Sequence, residues 1–365
     1  MKKVLFVASV IGHLNAFHVP YIELFKEKGY QAECAAKLRE GIKVCEIQHH
    51  IDFERRPFNK KNIVAYRRLK SLLKKGNYEV VHCHTPVAAM LTRLAARKMR
   101  KKGTRVIYTA HGFHFFKGAP IKNWLIYFPV EWLCSFLTDT LITINTEDFE
   151  FAKKHLHAKR IEYVHGVGID TEKFKNIEVD RDKKREELGI PKESFAVLSV
   201  GELNDNKNHE TILRAIAKID RKDIVYVICG QGNKKEYLEN LAKELGLEER
   251  LILAGFRKDV VEIYKCCDLF AFPSKREGLG MAALEAMTCG LPVVGSNVHG
   301  IPDYLVDWET GFRCSPLDVD AFAGKIQMLI DDLDLRNIIG EKNKKVVEKF
   351  ALENSIKEMK KIYDI

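Results

Sequence analysis

Short runs of apolar, often β-branched residues alternate along this chain with longer stretches whose apolar positions recur every three or four residues. In the first half the runs are VLFVAS (4–9), QAECAA (31–36), YEVVHC (78–83), RVIYTA (105–110), TLITI (140–144) and IEYVH (161–165). Each reads as a strand. Amphipathic patterns over Val19–Lys28, Asn62–Lys75, Val87–Lys102, Ile121–Phe136 and Glu147–Leu156 read as the helices between them. Strands that are apolar nearly throughout belong to parallel sheets covered on both faces. A polar, strand-free stretch, 170–194, then interrupts the alternation. It restarts with FAVLSVG (195–201), DIVYVICG (223–230), RLILAG (250–255), DLFAFPS (268–274) and LPVVGS (291–296), and Val319–Tyr363 is helical in pattern almost to its end. The expected fold is α/β: two doubly wound, Rossmann-like domains facing a cleft, with a helical C-terminal tail. The boundaries fall at 1–172 for the first domain and 173–349 for the second, with the C-terminal helix, 350–365, joining the first. Ligands of such sheets bind outside the carboxyl ends of the strands. Chemistry is therefore expected in the loops that follow strands.

Composition adds exclusions. With 46% hydrophobic and 30% charged residues the chain is neither disordered, collagenous nor a coiled coil. No apolar run reaches the roughly 20 residues of a spanning helix. The nearest, Trp124–Leu137, is short and contains Pro129 and Glu131. Met-Lys-Lys before Val4–Ile11 resembles the start of a signal peptide, but the run passes into a Gly-His-Leu-Asn turn with no small-residue cleavage site, so it reads as a first strand of a cytoplasmic protein. Nine scattered cysteines without a Cys-x-x-Cys pair read as small core residues. Charge is uneven: residues 1–175 hold 31 Lys and Arg against 16 Asp and Glu (net +15), and the remaining 29 and 34 give −5. The excess is densest at Arg55–Lys75 and Arg93–Arg105. A basic half suits an acidic partner, whether nucleic acid, a membrane surface or a phosphorylated substrate. No interleaved aromatics or recognised module favour nucleic acid.

The strongest chemical signal is Ser274-Lys-Arg-Glu277-Gly278-Leu279-Gly280-Met-Ala-Ala-Leu-Glu285-Ala-Met-Thr-Cys-Gly290-Leu-Pro292. A strand ends, a Gly-rich loop follows, and a helix covers Met281–Thr288 with Gly290 at its C-terminal end. Backbone N–H groups at a helix start suit a phosphate. Glu285, one turn in, and Glu277, before the helix, are placed to accept hydrogen bonds from sugar hydroxyls.

This Glu-x7-Glu stretch, with LEAM-x-CG-x-PVV after it, resembles the retaining glycosyltransferases of family 4, which have the GT-B fold. The resemblance extends to Val200-Gly-Glu-Leu203 with Lys207-Asn208, to Val164-His-Gly-Val-Gly-Ile-Asp170, and to Gly300-Ile-Pro-Asp303 with Thr310-Gly311. The first domain, with His111-Gly112-Phe113 and the Val10-Ile-Gly12-His13 loop, is similar to the acceptor side of bacterial exopolysaccharide and capsule transferases. The resemblance implies that Glu285 binds the nucleotide ribose, Glu277 the transferred sugar and Lys207 the diphosphate, with Gly12 close to donor phosphate or acceptor. Gly278, Leu279 and Gly280 join the donor-binding set. His111 would stabilise or orient the reacting sugar, catalytic together with Glu277. The leaving diphosphate would take the acceptor proton in a front-face attack, with its charge stabilised by Lys207. No cofactor is implied, the donor being a nucleotide diphosphate sugar, expected to be UDP-linked, and the acceptor a lipid-linked glycan at an anionic membrane. Two positions depart from the pattern: Glu202 stands where an arginine usually contacts phosphate, with Lys275 and Arg276 as substitutes, and His165 stands where asparagine is frequent.

Other signals have plainer readings. His13 and His114 read equally as acceptor contacts or loop residues. His82 and His84 share one face of a strand but have no third ligand nearby in sequence, so they read as wall residues. Three Asp-x-Asp triplets (Asp180–Asp182, Asp318–Asp320, Asp332–Asp334) fall in the linker, at a helix start and between helices, not after a strand as a metal-dependent transferase requires. No metal site is expected. Trp124–Leu137, with Lys117 and Lys122 nearby, reads as either an interfacial or a core helix. The rivals to a transferase are a non-catalytic paralogue partnering an active enzyme, favoured by Glu202, and a UDP-sugar epimerase.

Overall fold

Val4 to Ala8 have no solvent exposure, because both faces of the strand they form are covered. That strand, β1 (Lys3–Val10), is central to the first of two units in a computed structural model that describes residues 1–38, 41–54 and 56–365. Unit 1 comprises Met1–Gly168 with Glu353–Ile365, and unit 2 comprises Ile169–Leu352. In unit 1, β1 is followed by α1 (Ile11–Phe17), α2 (Val19–Glu27), β2 (Gln31–Lys37), β3 (Ile47–His50), α3 (Lys61–Gly76), β4 (Val80–His84), α4 (Pro86–Arg100), β5 (Arg105–Ala110), α5 (Ile121–Ser135), β6 (Thr140–Thr143), α6 (Thr146–His155) and β7 (Arg160–Tyr163). The strands are parallel in the order β3-β2-β1-β4-β5-β6-β7.

Unit 2 runs α7 (Thr171–Lys175), α8 (Arg181–Leu188), β8 (Phe195–Val200), α9 (His209–Lys218), β9 (Ile224–Cys229), α10 (Lys235–Glu244), β10 (Leu251–Gly255), α11 (Val260–Cys266), β11 (Leu269–Phe272), α12 (Met281–Thr288), β12 (Val293–Ser296), β13 (Gly311–Cys314), α13 (Val319–Asp331) and α14 (Leu333–Val346). Its sheet, again parallel, has the order β10-β9-β8-β11-β12-β13. The last helix, α15 (Leu352–Tyr363), packs in unit 1. Strand order reverses direction between β1 and β4 in one unit and between β8 and β11 in the other. Those are the switch points at which doubly wound sheets bind ligands.

Several expectations need correction. The Gly-His-Leu-Asn segment is not a turn but the body of α1. It lacks the usual signals: Val10 provides no side-chain cap and the first turn holds no acid. Two strands went unread, β3 (IQHH) and β13 (GFRC), both at sheet edges and each too short or polar to show a pattern. The strand-free linker holds α7 and α8. The first aspartate of each Asp-x-Asp triplet caps a helix: Asp180, Asp318 and Asp332 accept from the N–H of Lys183, Ala321 and Leu335. The described cysteines form no disulfide, and all but Cys289 are buried.

Three arginines of the basic stretch after α3 are taken up within unit 1. Arg55 lies outside the described residues. Arg93 is buried, its guanidinium 3.0 Å from Glu131 and 4.1 Å over the Tyr108 ring. Arg100 pairs with Asp139 at 2.9 Å, and Arg105 with Asp364 at 2.6 Å. The exposed cations of these stretches lie on and beside α3 (Arg56, Lys60, Lys61, Arg67, Arg68, Lys70, Lys74 and Lys75) and at the end of α4 (Arg97, Lys98, Lys101 and Lys102). Arg93 and Glu131 tie α4 to α5 across a buried interface, so breaking the pair strands a charge. Glu131→Ala is expected to cost about 3–5 kcal/mol in urea unfolding. Replacing both partners, Arg93→Met with Glu131→Leu, is expected to recover most of that loss.

Candidate functional site

Beyond β8 in unit 2, residues 201–208 form a loop laced to the loop after β11. Lys275 N–H donates to the Asn206 carbonyl (2.8 Å), the Asn206 amide to the Arg276 carbonyl (3.0 Å), and the Asn208 amide to the Pro273 carbonyl (3.0 Å). Within this frame the Lys207 ammonium sits 2.9 Å from Glu277 and 5.2 Å from the Phe272 ring centre. Its stem passes over Gly201, where an added Cβ would lie 3.1 Å from the Lys207 side chain. Lys275 and Arg276 are partly exposed and form no ion pair among the described residues, while Glu202 is exposed on the loop that follows β8.

Gly280 caps the N-terminus of α12 at φ +90°, and a Cβ there would stand 2.6 Å from Phe272 and 2.8 Å from the Tyr304 hydroxyl. No side chain caps that end, so its N–H groups point outward with a positive helix end behind them. Gly278 lies in the loop, and Leu279 is buried beneath it. Glu285 accepts a hydrogen bond from the buried Tyr264 hydroxyl at 3.0 Å. Burial pushes its carboxyl above the usual carboxylate range, while the Tyr264 bond and the Lys173 charge act in the opposite direction. Tyr264 and Tyr304 were not singled out from sequence; aromatic residues in a core pattern give no sign that one holds Glu285 and the other crowds Gly280. The assembly offers backbone donors and three cations for an anion, with two carboxylates for hydroxyl groups.

In unit 1 the ends of β1, β4 and β5 carry imidazoles. His13 lies on α1, His18 between α1 and α2, His84 at the end of β4 and His111 just past β5. His13 Nε2 is 3.3 Å from His111 Nε2 and 3.4 Å from His18 Nε2, and His111 Nε2 is 3.4 Å from His84 Nδ1. Burial holds His13 down at about 4, and His18, His84 and His111 well below the ordinary histidine range, with neighbouring imidazoles adding to the effect for these three. These rings are neutral near pH 7. Thr85, next to His84, has φ +62°, strained for a β-branched residue, and its hydroxyl oxygen accepts from Ser9 N–H at 3.0 Å. Gly12 faces open space, with nothing within 4 Å of an added Cβ, so the fold itself does not demand glycine there. His114 is not part of this cluster. Its ring packs on Tyr127 at 4.6 Å and lines a small apolar cavity with Met90, Phe113 and Val130. The structure thus joins His13 to His111, separates His114, and adds His18 and His84. The available signal was crowding: eleven of the 13 histidines precede residue 170.

Residues 180–346 match the family of glycosyl transferases group 1, and residues 3–145 match the glycosyl transferase 4-like family. Across 366 aligned positions, spanning 99% of this chain and 96% of the relative, the chain is 38% identical to the putative glycosyltransferase EpsD of Bacillus subtilis (strain 168). The chain belongs to the group 1 glycosyltransferases. It is also 31% identical to the UDP-Gal:alpha-D-GlcNAc-diphosphoundecaprenol alpha-1,3-galactosyltransferase of Escherichia coli, over 83% of this chain and 79% of that one. Among solved structures, Anabaena Alr3699/HepE in complex with UDP-glucose matches with a TM-score of 0.82 at 18% identity, covering 100% of both chains. That likeness establishes the GT-B fold for this glycosyltransferase.

Gly280 provides a direct test of the unit 2 loop. Gly280→Ala forces a Cβ into Phe272 at a positive φ, and is expected to lower the stability of unit 2 by ~1–3 kcal/mol in urea unfolding. An unchanged unfolding curve would mean that Phe272 and Tyr304 do not fix the loop.

Proposed function

We propose that this glycosyltransferase is retaining and moves a hexose or N-acetylhexosamine from a UDP-sugar to a lipid-linked glycan in exopolysaccharide or capsule synthesis. The observation that carries the donor half is the grouping of Lys207, Glu277 and Glu285 around the uncapped start of α12. In this reading the diphosphate takes the α12 N–H groups and Lys207, Glu285 accepts from the ribose hydroxyls, and Glu277 accepts from the transferred sugar. As the glycosidic bond breaks, negative charge grows on the leaving diphosphate, and Lys207 stabilises it there. The acceptor hydroxyl attacks from the same face and gives its proton to that diphosphate. His111, a neutral imidazole, orients a sugar hydroxyl and acts as no general base. No divalent cation takes part in turnover. The UDP assignment draws support from the galactosyltransferase named above and from the UDP-glucose complex of HepE.

A lipid-linked acceptor is supported by the same relative's name and by α5. One face of that helix packs inward through Trp124, Tyr127, Phe128 and Glu131, while Ile121, Leu125, Trp132, Leu133 and Phe136 are exposed on the other. Lys117 and Lys122 flank its start, exposed. An apolar stripe edged with lysines suits the interface of an anionic leaflet. No helix among the described residues is long and apolar enough to cross a membrane. We therefore place the enzyme peripherally at the cytoplasmic face of the membrane.

Calorimetric titration with UDP, GDP and ADP in EDTA tests the donor half. Selective UDP binding is expected, weakened at least ~100-fold (about 2.7 kcal/mol) in Lys207→Ala and in Glu285→Ala, with transfer abolished in both. Selective GDP binding would redirect the donor assignment. No binding to any nucleotide would leave the non-catalytic paralogue, with Glu202 as its mark. Vesicle flotation tests the other half: binding to anionic vesicles is expected, lost on Leu125→Glu with Leu133→Glu and weakened by salt. Equal binding to neutral vesicles would remove the charge argument.

A further inference from the structure

We propose that His13, His18, His84 and His111 bind one divalent transition-metal ion of the imidazole-preferring class, with Zn2+ as the representative. One ring nitrogen from each residue lies within 4.8 Å of the other three. Three of the separations, 3.3, 3.4 and 3.4 Å, coincide with the edge of a tetrahedron built on Zn–N bonds of about 2.0–2.1 Å, which is about 3.3–3.4 Å. The widest pair needs to close by no more than about 1.5 Å to reach the same edge, a movement within the reach of imidazole rotation.

Hydrogen bonding among the rings accounts poorly for this arrangement. A nitrogen of a neutral imidazole either donates or accepts, yet Nε2 of His13 and Nε2 of His111 each take part in two contacts. The separations also exceed the usual hydrogen-bond range. Four lone pairs converging on one cation satisfy every contact at once. The four residues arrive from α1, the α1–α2 junction and the ends of β4 and β5, and His18 and His84 are buried at 2% and 0% exposure. His82, whose ring centre is 4.1 Å from that of His84, is not a ligand. Its two nitrogens are taken by Tyr363 and Thr109, both at 2.8 Å, so it forms the wall behind the site. With nitrogen donors and no carboxylate, the set suits Zn2+, Co2+, Ni2+ or Cu2+ and disfavours Mg2+ and Ca2+, which require oxygen.

A filled site would take the lone pairs of His13 and His111. If the proposed function holds, Zn2+ at one equivalent suppresses transfer and EDTA restores it; that consequence rests on the proposed function, whereas the binding does not. The binding test is Co2+ titration of the metal-stripped, full-length protein, read by visible absorption. One Co2+ per chain with the intense bands of four-coordinate cobalt is expected, displaced by Zn2+. Affinity is expected to fall at least ~100-fold in His18→Ala and His84→Ala, because losing a ligand exceeds the 10–100-fold typical of outer-sphere partners. His13→Ala, at a less buried ring, gives the same reading should the other two fail to fold. His155→Gln, an exposed histidine on α6, is expected to bind like the parent. Only weak, six-coordinate absorption, or binding unchanged in His13→Ala and the other two, would overturn the site. Four-coordinate binding with transfer unaffected would overturn the consequence for transfer alone.

Discussion

Parallel strands can be joined only by crossovers that return the chain to the same starting edge of the sheet, so every loop that follows a strand opens on the opposite, carboxyl edge. This constraint operates twice in the chain. Where strand order reverses, crossovers leave to opposite faces and the two neighbouring loops part, exposing backbone at the edge. In unit 1 the reversal between β1 and β4 brings Gly12, His13 and the buried His84 to that edge, with His111 beyond the next strand. In unit 2 the reversal between β8 and β11 exposes residues 201–208 and the Ser274–Gly280 loop. The chemistry-bearing residues are scattered over nearly 300 positions, and topology alone collects them into two small groups.

What the edge collects must then be held. In unit 2 the holding is done by backbone carbonyls: Asn206 and Asn208 donate to the strand-end loop, and aromatic groups leave room at Gly280 for hydrogen and nothing larger. In unit 1 it is done from behind, by the last helix. Tyr363 is buried against Phe25 and reaches His82 at 2.8 Å; Glu358 on the same helix meets His165 at 2.8 Å. His82 in turn packs on His84. A helix at the far end of the sequence thus packs behind the histidines at the carboxyl edge of the first sheet.

The legibility of all this in sequence follows the length of the apolar runs rather than burial. Strands with such runs were readable within a residue or two, the edge strands β7 and β10 included; β3 (IQHH) is polar and β13 (GFRC), although largely buried, is four residues long with an arginine in it. α12 was readable end to end, because Gly280 and Gly290 punctuate it and Gly290 closes a Schellman turn, with Leu291 N–H bonded to the Ala286 carbonyl at 3.1 Å. α1 was not, because it has neither cap nor charge at its start. Lys207, Glu277 and Glu285 could be singled out because each lies in a stretch that carries the family resemblance. His18 and His84 were missed as a group because four histidines from four segments share no spacing; their proximity exists only in the folded sheet.

The place of Glu202 can be argued from charge. The loops around α12 carry Lys207, Lys275 and Arg276 against Glu277, with Glu202 exposed to solvent and screened. A diphosphate arriving in the proposed manner meets Lys207 already paired with Glu277, and the two anions compete for one ammonium. The competition is resolved without loss if Glu277 turns to a sugar hydroxyl as Lys207 turns to phosphate, so that each keeps a partner throughout. A binding pocket with an additional arginine would hold the diphosphate regardless of the sugar. Under the proposed reading, UDP alone must draw Lys207 away from Glu277, whereas a UDP-sugar offers Glu277 a replacement partner, so the sugar adds to donor affinity without being required for it.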